Sequence, residues 1–360
     1  MALTENTKDS KEPPTITKPG NWLFFGLGLL SIRFIQGFIY WGGGSRRFIY
    51  APNKLNPFHH PWMANKFQTA MPGALLGMEH VVSYILQHFW LLYTAVILFS
   101  AAELIIGLML MIGYLTRFAA LVSMGFAVLL MLLFGWQGAT CIDEWTMAAC
   151  NLAMGATLLL AGGQAYSVDN YLLKRNPALA QKAWFRLASG ALPLDIIPPR
   201  TLQHISIGIF AFVALFDVTT YSYYRGSVIT PFHGGPTSPT VHHLSLDHAL
   251  IDGEGNVRFH VYLDAGTPEA PVHVVRASLL DEQKQPIVQW GEKELSALPP
   301  SAFVNDYAYN KFMTGPFGIK APMGAKATIT LPCPQGQDCS AAKALRLTDV
   351  DGKSFTISLK

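Results

Sequence analysis

Residues 89 to 113 read FWLLYTAVILFSAAELIIGLMLMIG, an apolar run interrupted by a single carboxylate, Glu103. About twenty apolar residues cross roughly 30 Å of hydrocarbon, so this run predicts a transmembrane helix. Residues 22 to 41, WLFFGLGLLSIRFIQGFIYW, predict another and carry Arg33 near their middle. An ionised side chain at that depth is costly and generally faces a partner inside a helix bundle. At about 1.5 Å per residue, Arg33 lies roughly 16 Å and Glu103 roughly 15 Å above the inner ends of their runs. The two are therefore expected at one depth, either as a structural salt bridge or as a redox or proton-relay site.

Three more apolar runs, residues 114 to 136, 145 to 163 and 202 to 220, bring the expected spans to five. Hydrophobic residues make up 51% of the chain and charged residues 14%, as expected for several spans plus a water-facing part. The net charge of +3 gives no reason to invoke nucleic acid. Lys174, Arg175, Lys182, Arg186 and Arg200 place the stretch before the fifth run in the cytoplasm by the positive-inside rule. Alternation then puts the amino terminus inside and residues 42 to 88 outside, together with everything after residue 220. The polar tail 1 to 20 lacks the apolar core of a cleaved signal peptide and is expected to stay cytoplasmic.

From about residue 241 the texture changes to short alternating segments, 241–251, 257–263, 272–280, 327–331 and 355–359, separated by turns such as Asp252-Gly253-Glu254-Gly255. This pattern predicts an antiparallel, immunoglobulin-like β sandwich. The expected organisation is a cytoplasmic tail 1–20, a four-helix membrane domain 21–175 with an outer loop 42–88, a basic connector 176–201, a fifth transmembrane helix 202–220, a linker 221–240, and an exported β domain 241–360.

Several side chains in this frame are candidates for chemistry. Arg46 and Arg47 follow Trp41-Gly42-Gly43-Gly44, and with Lys54 and Lys66 they form a basic collar on the face where cations are usually depleted. Forked guanidinium groups suit a doubly charged oxyanion, although a solvated loop touching lipid headgroups gives the same pattern. Pro72 is expected to start an amphipathic helix carrying Glu79, His80, Tyr84 and His88. His59, His60 and Glu79 read as surface groups, while His80 is a possible proton carrier. Cys141 stands beside Asp143 and Glu144, which oppose its thiolate, and Asp143 equally suits a helix cap. Cys150 reads as packing. Cys333 and Cys339 fall in the exported domain, where a loop-closing disulfide is expected. The spacing of Asp252, Glu254 and Asn256 suits a hairpin turn better than a calcium loop. No metal site, flavin fingerprint, P-loop or paired transmembrane histidines for haem are recognisable.

Glu103-Leu-Ile-Ile-Gly107 followed by Gly113-Tyr-Leu-Thr-Arg117-Phe-Ala-Ala, with Arg33-Phe-Ile-Gln-Gly37, resembles the DoxX/DoxD membrane family. Thr140-Cys141-Ile-Asp143-Glu144-Trp145 points within it to DoxD. Asn310-Lys311-Phe312, Gly315-Pro316-Phe317-Gly318 and Pro322-Met-Gly324-Ala-Lys326-Ala resemble DoxA. The chain as a whole resembles the fused DoxDA form of thiosulfate:quinone oxidoreductase. That resemblance implies oxidation of two thiosulfates to tetrathionate, with electrons passed to a membrane quinone as acceptor, in a multi-pass protein of the prokaryotic plasma membrane.

On this expectation Arg46, Arg47 and Trp41 gather thiosulfate, a quinone binds near Arg33 and Glu103, Arg33 stabilises quinol oxyanion charge, Glu103 or His80 supplies protons, and Cys141 carries a transient sulfur adduct. Two dianions about 4 Å apart repel by roughly 4 kcal/mol in water and about 16 kcal/mol at an effective dielectric near twenty, so their coupling calls for nearby positive charge. Further expected partners are the bilayer, another copy of the chain, and a terminal quinol oxidase reached through the quinone pool. A competing reading makes the chain a non-catalytic accessory or assembly subunit of such an oxidase. A third, sulfur-anion transport, lacks the internal repeat that transporters commonly show.

Overall fold

The computed structural model describes residues 19–137, 143–225, 237–334 and 336–360. Most of the expected tail, Cys141, and most of the expected linker lie outside the described residues. The helices are α1 Pro19–Gly28, α2 Leu30–Ser45, α3 Met63–Ala70, α4 Met78–Gln87, α5 Phe89–Ile112, α6 Thr116–Phe134, α7 Asp143–Ala161, α8 Val168–Arg175, α9 Ala183–Ala188, α10 Pro199–Arg225 and α11 Glu292–Ser296. The strands are β1 His243–Ile251, β2 Val257–Ala265, β3 Val272–Leu280, β4 Pro286–Trp290, β5 Phe303–Asn305, β6 Met313–Gly315, β7 Gly318–Ala321, β8 Lys326–Leu331, β9 Ala344–Asp349 and β10 Ser354–Ser358.

Among the described residues three helices are long and apolar enough to cross a membrane: Phe89–Ile112, Thr116–Phe134 and Pro199–Tyr224. The chain is a membrane protein with a helical region followed by an all-β domain. The expected first span falls on α1 and α2, which meet at Leu29 with i→i−4 hydrogen bonds carried across the junction, from the Leu29 amide to the Phe25 carbonyl at 3.2 Å and from the Arg33 amide to the Leu29 carbonyl at 2.9 Å. Helix α7 is long, but Glu144, Thr146 and Asn151 dilute its apolar character.

The described residues fall into two compact units. The first comprises residues 19–42, 104–124 and 153–211; the second comprises the described residues within 43–103, 125–152 and 212–360. In the first, α2 meets the second half of α5 at two glycines. A Cβ on Gly37 would lie 2.7 Å from the Gly107 carbonyl oxygen, and one on Gly107 would overlap the Trp41 backbone nitrogen. Small residues are needed for such an approach. Helix α8 is capped conventionally: Ser167 Oγ accepts from the Asn170 amide at 3.1 Å.

In the second unit, the helix expected from Pro72 begins at Met78. Pro72 lies in a single 3₁₀ turn, after which Leu76 and Gly77 take left-handed conformations at φ 54° and 76°. That reversal stops any helix from continuing through them, and glycine adopts it without a Cβ penalty.

The β domain of this unit is a two-sheet sandwich. One sheet has the order β1-β2-β8-β5; the other runs β10-β9-β3-β7-β6, with β4 also paired to β3. Strand β2 alternates as the sequence pattern requires: Val257, Phe259, Val261 and Leu263 point into the core, while Arg258, His260 and Tyr262 face out. Fully burying each such large side chain contributes about 1.5–3 kcal/mol. Strands β4, β5, β6 and β7 are short and weakly alternating and escape the sequence pattern, whereas β9 alternates as strictly as β8 although it is absent from the expected segments. Cys333 and Cys339 form the expected disulfide in the β8–β9 connection. Asp252 Oδ1 accepts from the Glu254 and Asn256 amides at 2.9 Å each, which fixes the hairpin turn.

On the outward face of β2, His260 Nδ1 lies 2.9 Å from Asp247 Oδ1, and its Nε2 lies 3.2 Å from Asp306 Oδ2. The hydrogen bond with Asp306, helped by the two carboxylate charges, lifts the imidazole above its ordinary value despite partial burial. A pKa raised on folding stabilises the fold below the unfolded pKa, near 6.5, and that stabilisation is lost as pH rises through the folded value. Protection of the β2 amides from exchange, corrected for the base catalysis of exchange itself, is therefore expected to fall as pH rises above about 6.5. In His260→Gln that part of the pH dependence should vanish; an unchanged profile would contradict the assignment.

Candidate functional site

The first unit answers its buried charges with backbone. Arg33, buried on α2, donates from Nη1 to the Gly163 and Ala165 carbonyls at 2.5 and 3.0 Å, and from Nη2 to the Tyr166 carbonyl at 3.0 Å. These carbonyls follow the end of α7, where a cation complements the helix dipole. Arg117, which opens α6, donates to the carbonyls of Leu159, Arg186, Ser189 and Leu192 at 2.6 to 3.2 Å. Asp169 accepts from the amides of Leu115, Thr116 and Gly190 at 2.8 to 3.1 Å and from the Thr116 hydroxyl at 3.1 Å. The expected connector 176–201 thus supplies polar groups to this network.

In the second unit, Glu103 forms an ion pair with Arg47, both side chains being largely buried. Arg47 also reaches Ser100 Oγ at 3.3 Å. The Arg33–Glu103 pairing expected from equal depth is replaced: Glu103 takes its cation from the segment after α2, and both terminal nitrogens of Arg33 donate to carbonyls, its buried Nε having no hydrogen-bond partner among the described residues. Ser100 and Glu103 do share a face of α5, and Gly43 stands close enough that a Cβ there would lie 3.5 Å from Glu103 Oε2.

Arg47 opens onto a cavity of about 260 Å³. Its walls are predominantly apolar, including Val82 and Leu86 of α4, Phe99 of α5, and Leu130 and Phe134 of α6. Its cations are Arg47, Lys54 and Lys66. Lys66 pairs with Glu144 at 3.1 Å and lies over the Phe134 ring, 5.1 Å from its centroid. Burial, reinforced by the positive charges of Arg46, Arg47 and Lys66, holds the Lys54 ammonium below the usual lysine range. Among the described residues neither Arg46 nor Lys54 has a carboxylate partner. Three cations thus line an apolar chamber, two of them paired with carboxylates that lie outside its lining, an arrangement that can hold an anion next to a flat apolar molecule.

The β domain touches the same helices. Gln68 of α3 is fully buried, accepts from the Asn310 amide at 2.9 Å, and donates to the Asn310 and Gly324 carbonyls at 2.8 and 2.9 Å. Tyr307 and Ser83 hydroxyls lie 2.7 Å apart, and Tyr262 donates to Glu79 at 3.3 Å.

The remaining candidates are dispersed. His80 is exposed on α4 and absent from the cavity wall, and His59 and His60 are also exposed. Trp41 packs its ring 5.8 Å from Phe38 within the first unit. Cys150, expected to pack, is exposed because its position on α7 faces outward. The chamber itself escaped sequence reasoning, although Met78, Val82 and Ile85 recur on one face of α4 and give its signal.

Residues 29–195 match the family described as TQO small subunit DoxD, and residues 224–358 match TQO small subunit DoxA. No solved structure matches the chain. The helical region and the β domain are successive members of the thiosulfate:quinone oxidoreductase small-subunit families in one polypeptide, and the chain belongs with the fused DoxDA proteins.

Proposed function

We propose that the chain is a membrane-bound thiosulfate:quinone oxidoreductase that oxidises two thiosulfates to tetrathionate and reduces one quinone. The observation that carries this reading is the presence of three cations, Arg47, Lys54 and Lys66, and no carboxylate in the lining of an otherwise apolar cavity. We place the protein in the prokaryotic plasma membrane, amino terminus cytoplasmic and β domain outside, on the strength of the basic residues before α10.

In this reading Arg46, Arg47, Lys54 and Lys66 attract thiosulfate and screen the repulsion between the two dianions. The quinone ring lies against the apolar wall. Each thiosulfate gives up one electron and one sulfur–sulfur bond forms between them; the quinone takes both electrons and two protons. Arg47, held by Glu103 and Ser100, stabilises negative charge on the quinone oxygen as it is reduced. Glu103, itself outside the cavity lining, acts through its ion pair with Arg47, and the two protons come from solvent. His80, exposed and off the cavity wall, has no part in this scheme, and Arg33 has a structural one. Direct coupling of the sulfurs beside the quinone requires no adduct on Cys141.

Purified protein given thiosulfate and a soluble quinone analogue is expected to yield quinol and tetrathionate in equal amounts. Turnover only when a haem-copper oxidase is added would favour the accessory-subunit reading instead. The cation cluster also sets a pH dependence. As pH rises through the lowered Lys54 value, the free enzyme loses a charge and kcat/KM for thiosulfate falls. Lys54→Arg is expected to flatten that alkaline limb while keeping thiosulfate affinity. Lys54→Met should raise the thiosulfate KM by about ten- to a hundredfold, the worth of one charged hydrogen bond. An alkaline limb unchanged in Lys54→Arg would exclude Lys54 from the anion site.

A further inference from the structure

We infer that Asn310 and Gln68 are positioning residues for thiosulfate, and that through them the β domain sets the place of Lys66 in the cavity wall. The inference rests on the reading of that cavity as the sulfur-anion site.

Helix α3 is only eight residues long, and a helix of that length does not hold itself in water. Lys66 and Gln68 are two positions apart, roughly 200° around the helix at 3.6 residues per turn, so they leave it on opposite sides. Lys66 lies at the edge of the cavity, half exposed and paired with Glu144, and Gln68 points into the β domain.

What Gln68 meets there is a fitted socket. Its side-chain amide pairs with both the amide and the carbonyl of Asn310, as a neighbouring strand would, and donates a second bond to Gly324. The Asn310 side chain returns across the same contact, donating from Nδ2 to the Asn65 carbonyl at 3.2 Å, to Thr69 Oγ1 at 2.9 Å and to the Met323 carbonyl at 2.9 Å. Gly324 has φ 78° and sits so close to the Gln68 carbonyl that a Cβ would overlap it. Both ends of the contact are buried, and a buried amide left without its partner is costly, which favours a single placement of α3.

Two other anchors act elsewhere. Trp136 Nε1 donates to the Ala70 carbonyl at 2.8 Å and fixes the far end of α3. Glu144 and the Phe134 ring hold the Lys66 ammonium. Tyr307 packs with Met63 and Ala64 in one apolar cluster, which is tolerant of small displacements, whereas the amide clasp gives the contact between the cation-bearing turn and the sandwich its directional hydrogen bonds. Two stretches that carry the DoxA resemblance, 310–312 and 322–327, supply it.

The test is steady-state kinetics of the purified full-length chain with thiosulfate and a soluble quinone. Asn310→Ala is expected to raise the thiosulfate KM about tenfold while kcat and the quinone KM stay within about twofold, since a displaced Lys66 loses roughly one charged contact. Thr69→Val, a milder change that removes one acceptor of the Asn310 amide, should give a smaller rise in the same parameter and guards against a variant that fails to fold. On a Lys66→Met background Asn310→Ala should add nothing, because both changes remove the same contribution. If Lys66→Met raises the thiosulfate KM but Asn310→Ala and Thr69→Val do not, the clasp has no positioning role and the anion site stands. Additive effects, or equal losses in kcat and both KM values, likewise overturn the clasp. An unchanged thiosulfate KM in Lys66→Met overturns the anion-site reading as well.

Discussion

A charge withdrawn from water must be answered by another group, and in this protein the manner of the answer differs between the two units. Arg33, Arg117 and Asp169 are answered by backbone carbonyls and amides at helix ends. Every donor or acceptor aimed that way removes an orphaned group from a helix terminus and a bare charge from a low-dielectric interior. Such a network leaves little freedom for a ligand. The carboxylate Glu103, by contrast, is answered by one mobile-length side chain, Arg47, from the segment after α2. That pair brings a guanidinium to the edge of an apolar chamber, where Lys54 and Lys66 join it.

The chemistry follows from the imbalance. Cations without matching carboxylates lower the cost of gathering anions, and apolar walls exclude the water that would screen them. An electron acceptor with a flat apolar ring fits against the same walls. Function therefore depends on holding separate elements, the segment 46–66, α4, α5 and α6, at fixed distances, and the β domain contacts two of the shorter ones.

Much of this was legible in the sequence. The long apolar runs gave α5, α6 and α10, Gly37 and Gly107 marked a close helix crossing, and strict alternation in 257–263 gave β2. Arg47, Glu103 and the basic collar were singled out because each is costly where it stands. Their pairing was not legible: depth along a helix restricts height above a membrane plane but says nothing of rotation about the axis or of loops that fold back. For that reason Arg33 and Glu103 seemed natural partners, whereas a loop arginine reaches Glu103 and the turn after α7 reaches Arg33. The chamber escaped for a related reason. Its wall is assembled from Met63, Val82, Leu92 and Leu130, residues individually ordinary and distant in sequence, that become a site only when packed. Short strands such as β5 and β6 are held by pairing with neighbours rather than by any pattern of their own.

The central claim is that the cation-rimmed chamber of the second unit is where quinone meets the sulfur anions. A photoactivatable quinone analogue, crosslinked to the purified protein and mapped by peptide mass spectrometry, tests it most directly. The account predicts labelling on α4 and the neighbouring parts of α5 and α6, at or near Val82, Phe99 and Leu130, with protection by excess unlabelled quinone. Labelling confined to peptides around Arg33 and Tyr166 would contradict it and return the quinone to the first unit.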